Sequence, residues 1–224
     1  MRLRGRPDPK KIRLFRKNLH QWYTFHGRKF PWRKSATTKY QYIIAEILLQ
    51  RTRAETVAAF FPDFIHDFPT WKWLSEANLE RLQQYLQPIG LWRRRASSIH
   101  LLAQEMSRRN GRFPRNRDEI EMLPGIGQYI ANSVLLFCNG EPQPLLDVNM
   151  ARVLERVFGP RKLADIRDDP YLQELALCIV RCKTPAKINW AILDLAATIC
   201  RIQNPRCNIC PISQICRMSN SKGV

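Results

Sequence analysis

Four cysteines near the C-terminus are spaced Cys200-x6-Cys207-x2-Cys210-x5-Cys216. Four thiols in one short loop converge on a metal centre or stand as an oxidation liability. Zinc takes four cysteines, but its knuckles usually come as two close C-x2-C pairs, and this loop has one. A [4Fe–4S] cluster held by four thiolates suits the long outer gaps better; zinc and unligated thiols are the weaker readings. Elsewhere, Glu46 is the single charged residue in the apolar run Tyr42 to Leu49. A carboxylate in such a run is costly unless it is paired or faces a cavity. Desolvation favours the protonated form of a carboxyl group, which suits a proton donor. The plainer reading is a glutamate that points outward or pairs with Arg51 or Arg53. Leu123-Pro124-Gly125-Ile126-Gly127 lies between two helical patterns. Gly125 and Gly127 leave backbone N–H groups bare at the start of the second helix, where orphan donors and the helix dipole favour an anion such as phosphate. A plain helix–turn–helix connection is the alternative. Asp147 directly precedes the helical pattern Val148–Phe158 and reads as its N-cap.

These groups must be held by a scaffold, and composition limits what it is. The chain has 224 residues with 45% hydrophobic content, enough for a core of one large domain or two small ones. Its net charge of +18 points to a polyanion, nucleic acid before an anionic membrane surface. Residues 2–33 carry eleven Lys/Arg against one acid, Asp8. No apolar stretch is long enough for a membrane helix, and the basic N-terminus lacks a signal peptide's apolar region. An intracellular protein, in the cytoplasm or nucleoid of a prokaryote, is the expectation. Seven cysteines in such a compartment argue against a disulfide framework. Cys138, Cys178 and Cys182 lie on apolar helical patterns and read as buried small hydrophobes. Pro7 and Pro9 suggest a loose start before a basic amphipathic helix at 11–26. Helical patterns follow at 42–50, 54–67, 77–87, 92–109, 116–122, 128–138, 148–158, 168–182 and 187–200. Nothing alternates with period two, so the chain reads as all-α.

The hairpin, Leu146-Asp147-x-Asn149 and the C-x6-C-x2-C-x5-C loop occur in that order. Together they resemble the helix–hairpin–helix (HhH-GPD) DNA glycosylases with an iron–sulfur cluster, the endonuclease III/MutY superfamily. The likeness runs from about Phe30 to Arg217. Pro31-Trp32-Arg33, the stretch from Glu46 to Thr52 and Phe113-Pro114-Arg115-Asn116 look closest to the thymine–guanine mismatch glycosylase Mig; the Trp and Glu stretches also resemble MutY. The fold this implies is two α-helical domains with a DNA cleft between them. A six-helix barrel spans 36–146 and includes the hairpin motif at 116–139. Residues 1–35 join 147–224 in a cluster domain whose loop is 200–216, with Cys200, Cys207, Cys210 and Cys216 as metal ligands.

The resemblance also assigns roles. A glycosylase extrudes one nucleotide before acting on it. Asp147 becomes the carboxylate that stabilises positive charge on the sugar and orients water. Glu46 matches the general acid of MutY; with a thymine or uracil substrate it binds the flipped base instead. Tyr129 stands where endonuclease III has a lysine nucleophile, and a phenol forms no Schiff base. The implied enzyme is therefore monofunctional, without efficient strand cleavage. Gly125, Ile126 and Gly127 contact DNA. Arg51 and Leu91 match positions that fill the hole left by the flipped nucleotide, and Trp92 is a competing wedge. Arg93, Arg94 and Arg95 are expected at phosphates, and Arg201 and Arg206 in the cysteine loop at the DNA backbone. MutY carries a further C-terminal domain, whereas this chain ends eight residues after Cys216. The expected function is removal of thymine or uracil opposite guanine, with a MutY-like adenine glycosylase as the alternative. A non-catalytic iron–sulfur damage sensor comes next. The expected partner is double-stranded DNA with a mispaired or damaged base, met by a monomer without membrane attachment.

Overall fold

Most helix starts in this chain are set by side-chain caps. In the computed structural model, which describes residues 8–220, Asp8 accepts from the Lys10 N–H at 2.8 Å and starts α1 (Pro9–His26). Pro9 is thus the first helical residue rather than part of a loose start, because its fixed φ suits a first turn and its missing N–H is not needed there. Pro7 lies outside the described residues, as do residues 221–224. Thr38 and Gln41 form a reciprocal capping box for α2 (Lys39–Leu48). Then come α3 (Ala54–Asp67), α4 (Trp71–Glu76), α5 (Leu79–Leu86), α6 (Trp92–Arg108), α7 (Arg117–Glu121) and α8 (Gln128–Phe137). The chain continues through α9 (Val148–Phe158), α10 (Pro170–Val180), α11 (Pro185–Thr198) and the short α12 (Arg217–Asn220). Among the described residues there is no strand, so the all-α reading holds. Helix α4 was not anticipated: it is a single capped segment burying only Trp71 and Leu74, too short to show a period.

The chain divides into two compact units. One is Lys29–Glu141. Its core gathers Ile43, Ile44 and Leu48 of α2, Phe61 and Phe64 of α3, Ile99 and Met106 of α6, and Val134 of α8. Phe30 stacks on Trp32 with ring centres 4.8 Å apart, and Trp32 meets Phe61 edge-on at 5.6 Å, so the Pro-Trp-Arg turn is part of this core. Helix α2 packs on α8, and α4 and α5 pack on α6. Glu46 therefore sits inside this bundle, and Tyr129 lies in the first turn of α8.

The other unit is formed by the described residues up to Arg28 together with those from Pro142 onward. Ile12, Phe15 and Leu19 line one face of α1, which packs on α10 and α11. Arg16 donates to the carbonyls of Ile179 (2.8 Å), Arg181 (3.0 Å) and Cys178, closing the C-terminus of α10, where cations are favoured. Asn189, wholly buried on α11, accepts from the Leu145 N–H at 2.7 Å and donates to the carbonyls of Gln143 (3.0 Å) and Pro185 (2.9 Å). These bonds tie down the extended segment that leads into Asp147. No described helix is long and apolar enough to cross a membrane.

Candidate functional site

Asp147 caps α9, as its position before an apolar helix required. Its Oδ1 accepts from the backbone N–H groups of Asn149 (2.9 Å) and Met150 (2.8 Å). Its Oδ2 accepts from the Asn149 side-chain amide at 2.7 Å. The carboxylate is thus fixed in rotation while staying half-buried, and the next residue, Val148, is 68% exposed. Asn149 is itself held: its Oδ1 accepts from Arg152 Nη1 at 3.0 Å. Arg152 also donates to the carbonyls of Cys200 (2.9 Å) and Ala196 (3.1 Å). One turn on, Arg156 donates to the carbonyls of Arg201 (2.7 Å) and Ile202 (3.1 Å) and lies 3.4 Å from Cys200 Sγ. Sequence reasoning missed both arginines. Their signal was present, since Arg152 and Arg156 stand four apart on one face of an amphipathic helix.

The cysteine loop is built from tight turns. Helix α11 ends at Thr198, the Arg206 N–H returns to the Ile199 carbonyl at 3.0 Å, and Cys207–Ile209 and Ser213–Ile215 form single 3-10 turns. Cys200, Cys207, Cys210 and Cys216 line one small pocket together with Val157, Ile199 and Ile212. Burial, reinforced by the other three thiols, pushes the Cys210 thiol up to about 11. Among the described residues no three His, Cys, Asp or Glu are gathered closely enough for a single metal ion. Arg201 and Arg206 are both exposed on this loop. Cys138, Cys178 and Cys182 are half-buried beside the two cores rather than fully inside them.

In the other unit, Glu46 is 4% exposed, within the fully apolar inner face of α2. Its burial rules out the outward-pointing reading. The hairpin is α7, the turn Met122–Gly127 and α8. Gly125 has φ +73°, and a Cβ there would lie 2.9 Å from Ser98 Cβ, so both conformation and packing demand glycine. A Cβ on Gly127 would meet nothing within 4 Å. That face is open for a close approach to the backbone at the N-terminus of α8. Ile126 differs: its side chain is in the core and its N–H bonds to the Leu123 carbonyl at 3.1 Å, so it anchors the turn. Tyr129 is half-buried against the core.

Arg51 and Leu91 are both exposed and both left-handed, at φ +56° and +51°. For a residue with a large side chain this conformation costs about 1–2 kcal/mol. Trp92 packs against the core and carries the Arg93 guanidinium 3.9 Å from its ring centre, so Leu91 is the freer of the two wedge candidates. Arg93 and Arg94 are exposed, as phosphate contacts require. Arg95 is not: it is 5% exposed, because the third arginine of the run falls on the inner face of α6.

Comparison with known proteins places this geometry. Residues 44–175 match the model of the HhH-GPD superfamily base excision DNA repair proteins. The chain is similar to a thymine-DNA glycosylase of Aeropyrum pernix, 36% identical over 96% of this chain and 98% of the relative. It is also similar to a thymine/uracil-DNA glycosylase of Pyrobaculum aerophilum, 37% identical over 89% of this chain and 88% of the relative. Its fold matches a solved thermostable thymine-DNA glycosylase with a TM-score of 0.86, at 29% identity over 95% of this chain and 98% of that one.

Proposed function

From the premise that the chain belongs to the HhH-GPD superfamily of base excision DNA repair proteins, we propose that it is a monofunctional glycosylase excising thymine or uracil opposite guanine. It acts as a monomer on duplex DNA. The observation that carries the reading is the clamped Asp147 carboxylate, in a chain whose near full-length relatives are thymine and thymine/uracil glycosylases.

The chemistry follows from the groups present. The target nucleotide is turned out of the stack, and Leu91 and Arg51 fill the void. As the N-glycosidic bond lengthens, positive charge grows on the sugar, and the Asp147 carboxylate stabilises it and orients the attacking water. Three hydrogen bonds hold that carboxylate before substrate arrives, so little reorganisation is needed at the moment of reaction. Glu46 receives the extruded base. Gly125 and Gly127 bring the backbone of the hairpin against a phosphate.

Tyr129 supplies no amine, so base release is not followed by Schiff-base chemistry. Incubation with duplexes carrying G·T, G·U, A·T and adenine–8-oxoguanine pairs tests both points. Base release is expected from G·T and G·U, with strand breaks appearing only after alkali and no covalent adduct trapped by borohydride. Release confined to adenine, or a stoichiometric borohydride adduct, refutes the reading.

Cys200, Cys207, Cys210 and Cys216 hold a [4Fe–4S] cluster in this reading. What supports it is the fit: the four thiols of the C-x6-C-x2-C-x5-C spacing line one pocket. When bound, the cluster cross-links the loop and takes no part in cleavage of the glycosidic bond. Arg201 and Arg206 then face the DNA backbone from a fixed loop.

A further inference from the structure

Arg51 and Leu91, two exposed residues with large side chains and left-handed backbones, lie on different connections of one unit: the turn after α2 and the turn before α6. Their unfavourable conformations persist only if something fastens both turns. One side chain reaches both. Arg95 Nη2 donates to the Gln50 carbonyl at 2.6 Å and to Thr52 Oγ1 at 3.0 Å, on either side of Arg51. Its Nη1 donates to the carbonyls of Ile89 (3.0 Å) and Gly90, just before Leu91. Thr52 Oγ1 donates to the Ile89 carbonyl at 3.0 Å, joining the same two turns a second time.

We propose that Arg95 is a positioning residue for base extrusion: its guanidinium locks the Arg51 and Leu91 turns together so that both side chains enter the duplex as one unit. The proposal rests on the reading that Arg51 and Leu91 fill the void. The chemistry of the site favours guanidinium specifically. Its planar fork serves two turns at once, and all four partners are neutral acceptors, three carbonyls and a hydroxyl. A lysine keeps the charge but offers a single nitrogen and cannot span them. A helix with an ordinary N-cap would need no such bridge; α6 has none, since its N-cap is Leu91 itself.

The test compares Arg95→Lys, Thr52→Val, Leu91→Ala and Arg51→Ala in single-turnover base release. One substrate carries a paired G·T mismatch, and in the other the target thymine sits unpaired in a bulge, already unstacked. A 2-aminopurine beside the target reports unstacking. Arg95→Lys is expected to slow release from G·T roughly tenfold, with a matching loss of 2-aminopurine fluorescence, and to stay within about twofold of wild type on the bulge. Leu91→Ala added to Arg95→Lys should slow the reaction by no more than about twofold further, because both act on one step. Thr52→Val should show the same selectivity at about threefold, and it decides the matter if Arg95→Lys does not fold. Equal slowing on both substrates, or slowdowns that multiply, overturns the proposal and leaves Arg95 a stability residue. If Leu91→Ala and Arg51→Ala slow release but Arg95→Lys and Thr52→Val do not, the proposal alone falls. If Leu91→Ala and Arg51→Ala act at the wild-type rate, the void-filling reading falls and takes the proposal with it.

Discussion

Replacing Asp147 by asparagine is expected to lower single-turnover base release at least about a hundredfold while leaving the protein folded, the scale seen when one preorganised stabiliser of transition-state charge is lost. The substitution separates the two functions that the residue combines. As an N-cap, asparagine is as good as aspartate, because its side-chain oxygen still accepts from the N–H groups of Asn149 and Met150. What changes is the other oxygen. An amide there meets the Asn149 amide donor to donor, so that one hydrogen bond is lost or Asn149 turns away from Arg152. That costs about 1 kcal/mol. Asp147→Ala removes the cap as well, costing about 1 kcal/mol more and roughly 2–4 °C in Tm for a chain of this size. Catalysis should fall equally in both variants and stability mainly in the alanine one. If Asp147→Asn retains base release within about tenfold of wild type, the residue is a cap and the catalytic assignment is wrong.

The parts of this protein that were legible in the sequence are those set by local chemistry. The capping role of Asp147, the hairpin turn at Gly125 and the long amphipathic helices each depend on residues a few positions apart, and each is where the pattern put it. Glu46 stood out because a carboxylate in an apolar run is anomalous, and it is buried. What escaped was set by long-range contact. Arg93, Arg94 and Arg95 read alike as a basic run, yet only the fold determines that Arg95 turns inward to carbonyls near residues 50 and 90. Ile126 looked like part of a phosphate cradle, but packing makes its side chain the anchor. For Arg152 the helix face was legible but the role was not: its partners at Ala196 and Cys200 are more than forty residues away.

That last connection gives the second large effect. On the proposed cluster assignment, protein stripped of iron and sulfide, or carrying Cys210→Ser, is expected to bind a mismatched duplex at least about tenfold more weakly at physiological salt, with a shallower salt dependence as phosphate contacts are lost. The purified native protein should be brown and contain iron and sulfide at about four each per chain. The argument runs through the loop. Its turns are single 3-10 segments with little core of their own, since only Ile212 and Cys216 of the 200–216 stretch are buried. Without a centre tying four sulfurs together, Arg201 and Arg206 are held mainly by a few hydrogen bonds to backbone, too few to offset the entropy of an exposed loop. The carbonyls of Cys200, Arg201 and Ile202, which accept from Arg152 and Arg156, move with it. Arg152 in turn steadies Asn149 against Asp147, so base release should slow even when duplex is saturating. A loop that mattered only for folding would lower Tm and leave the affinity of the remaining folded protein unchanged. Equal affinities of cluster-free and reconstituted protein for the same duplex would therefore refute the DNA-contact role of the loop, and colourless protein with stoichiometric zinc would refute the cluster.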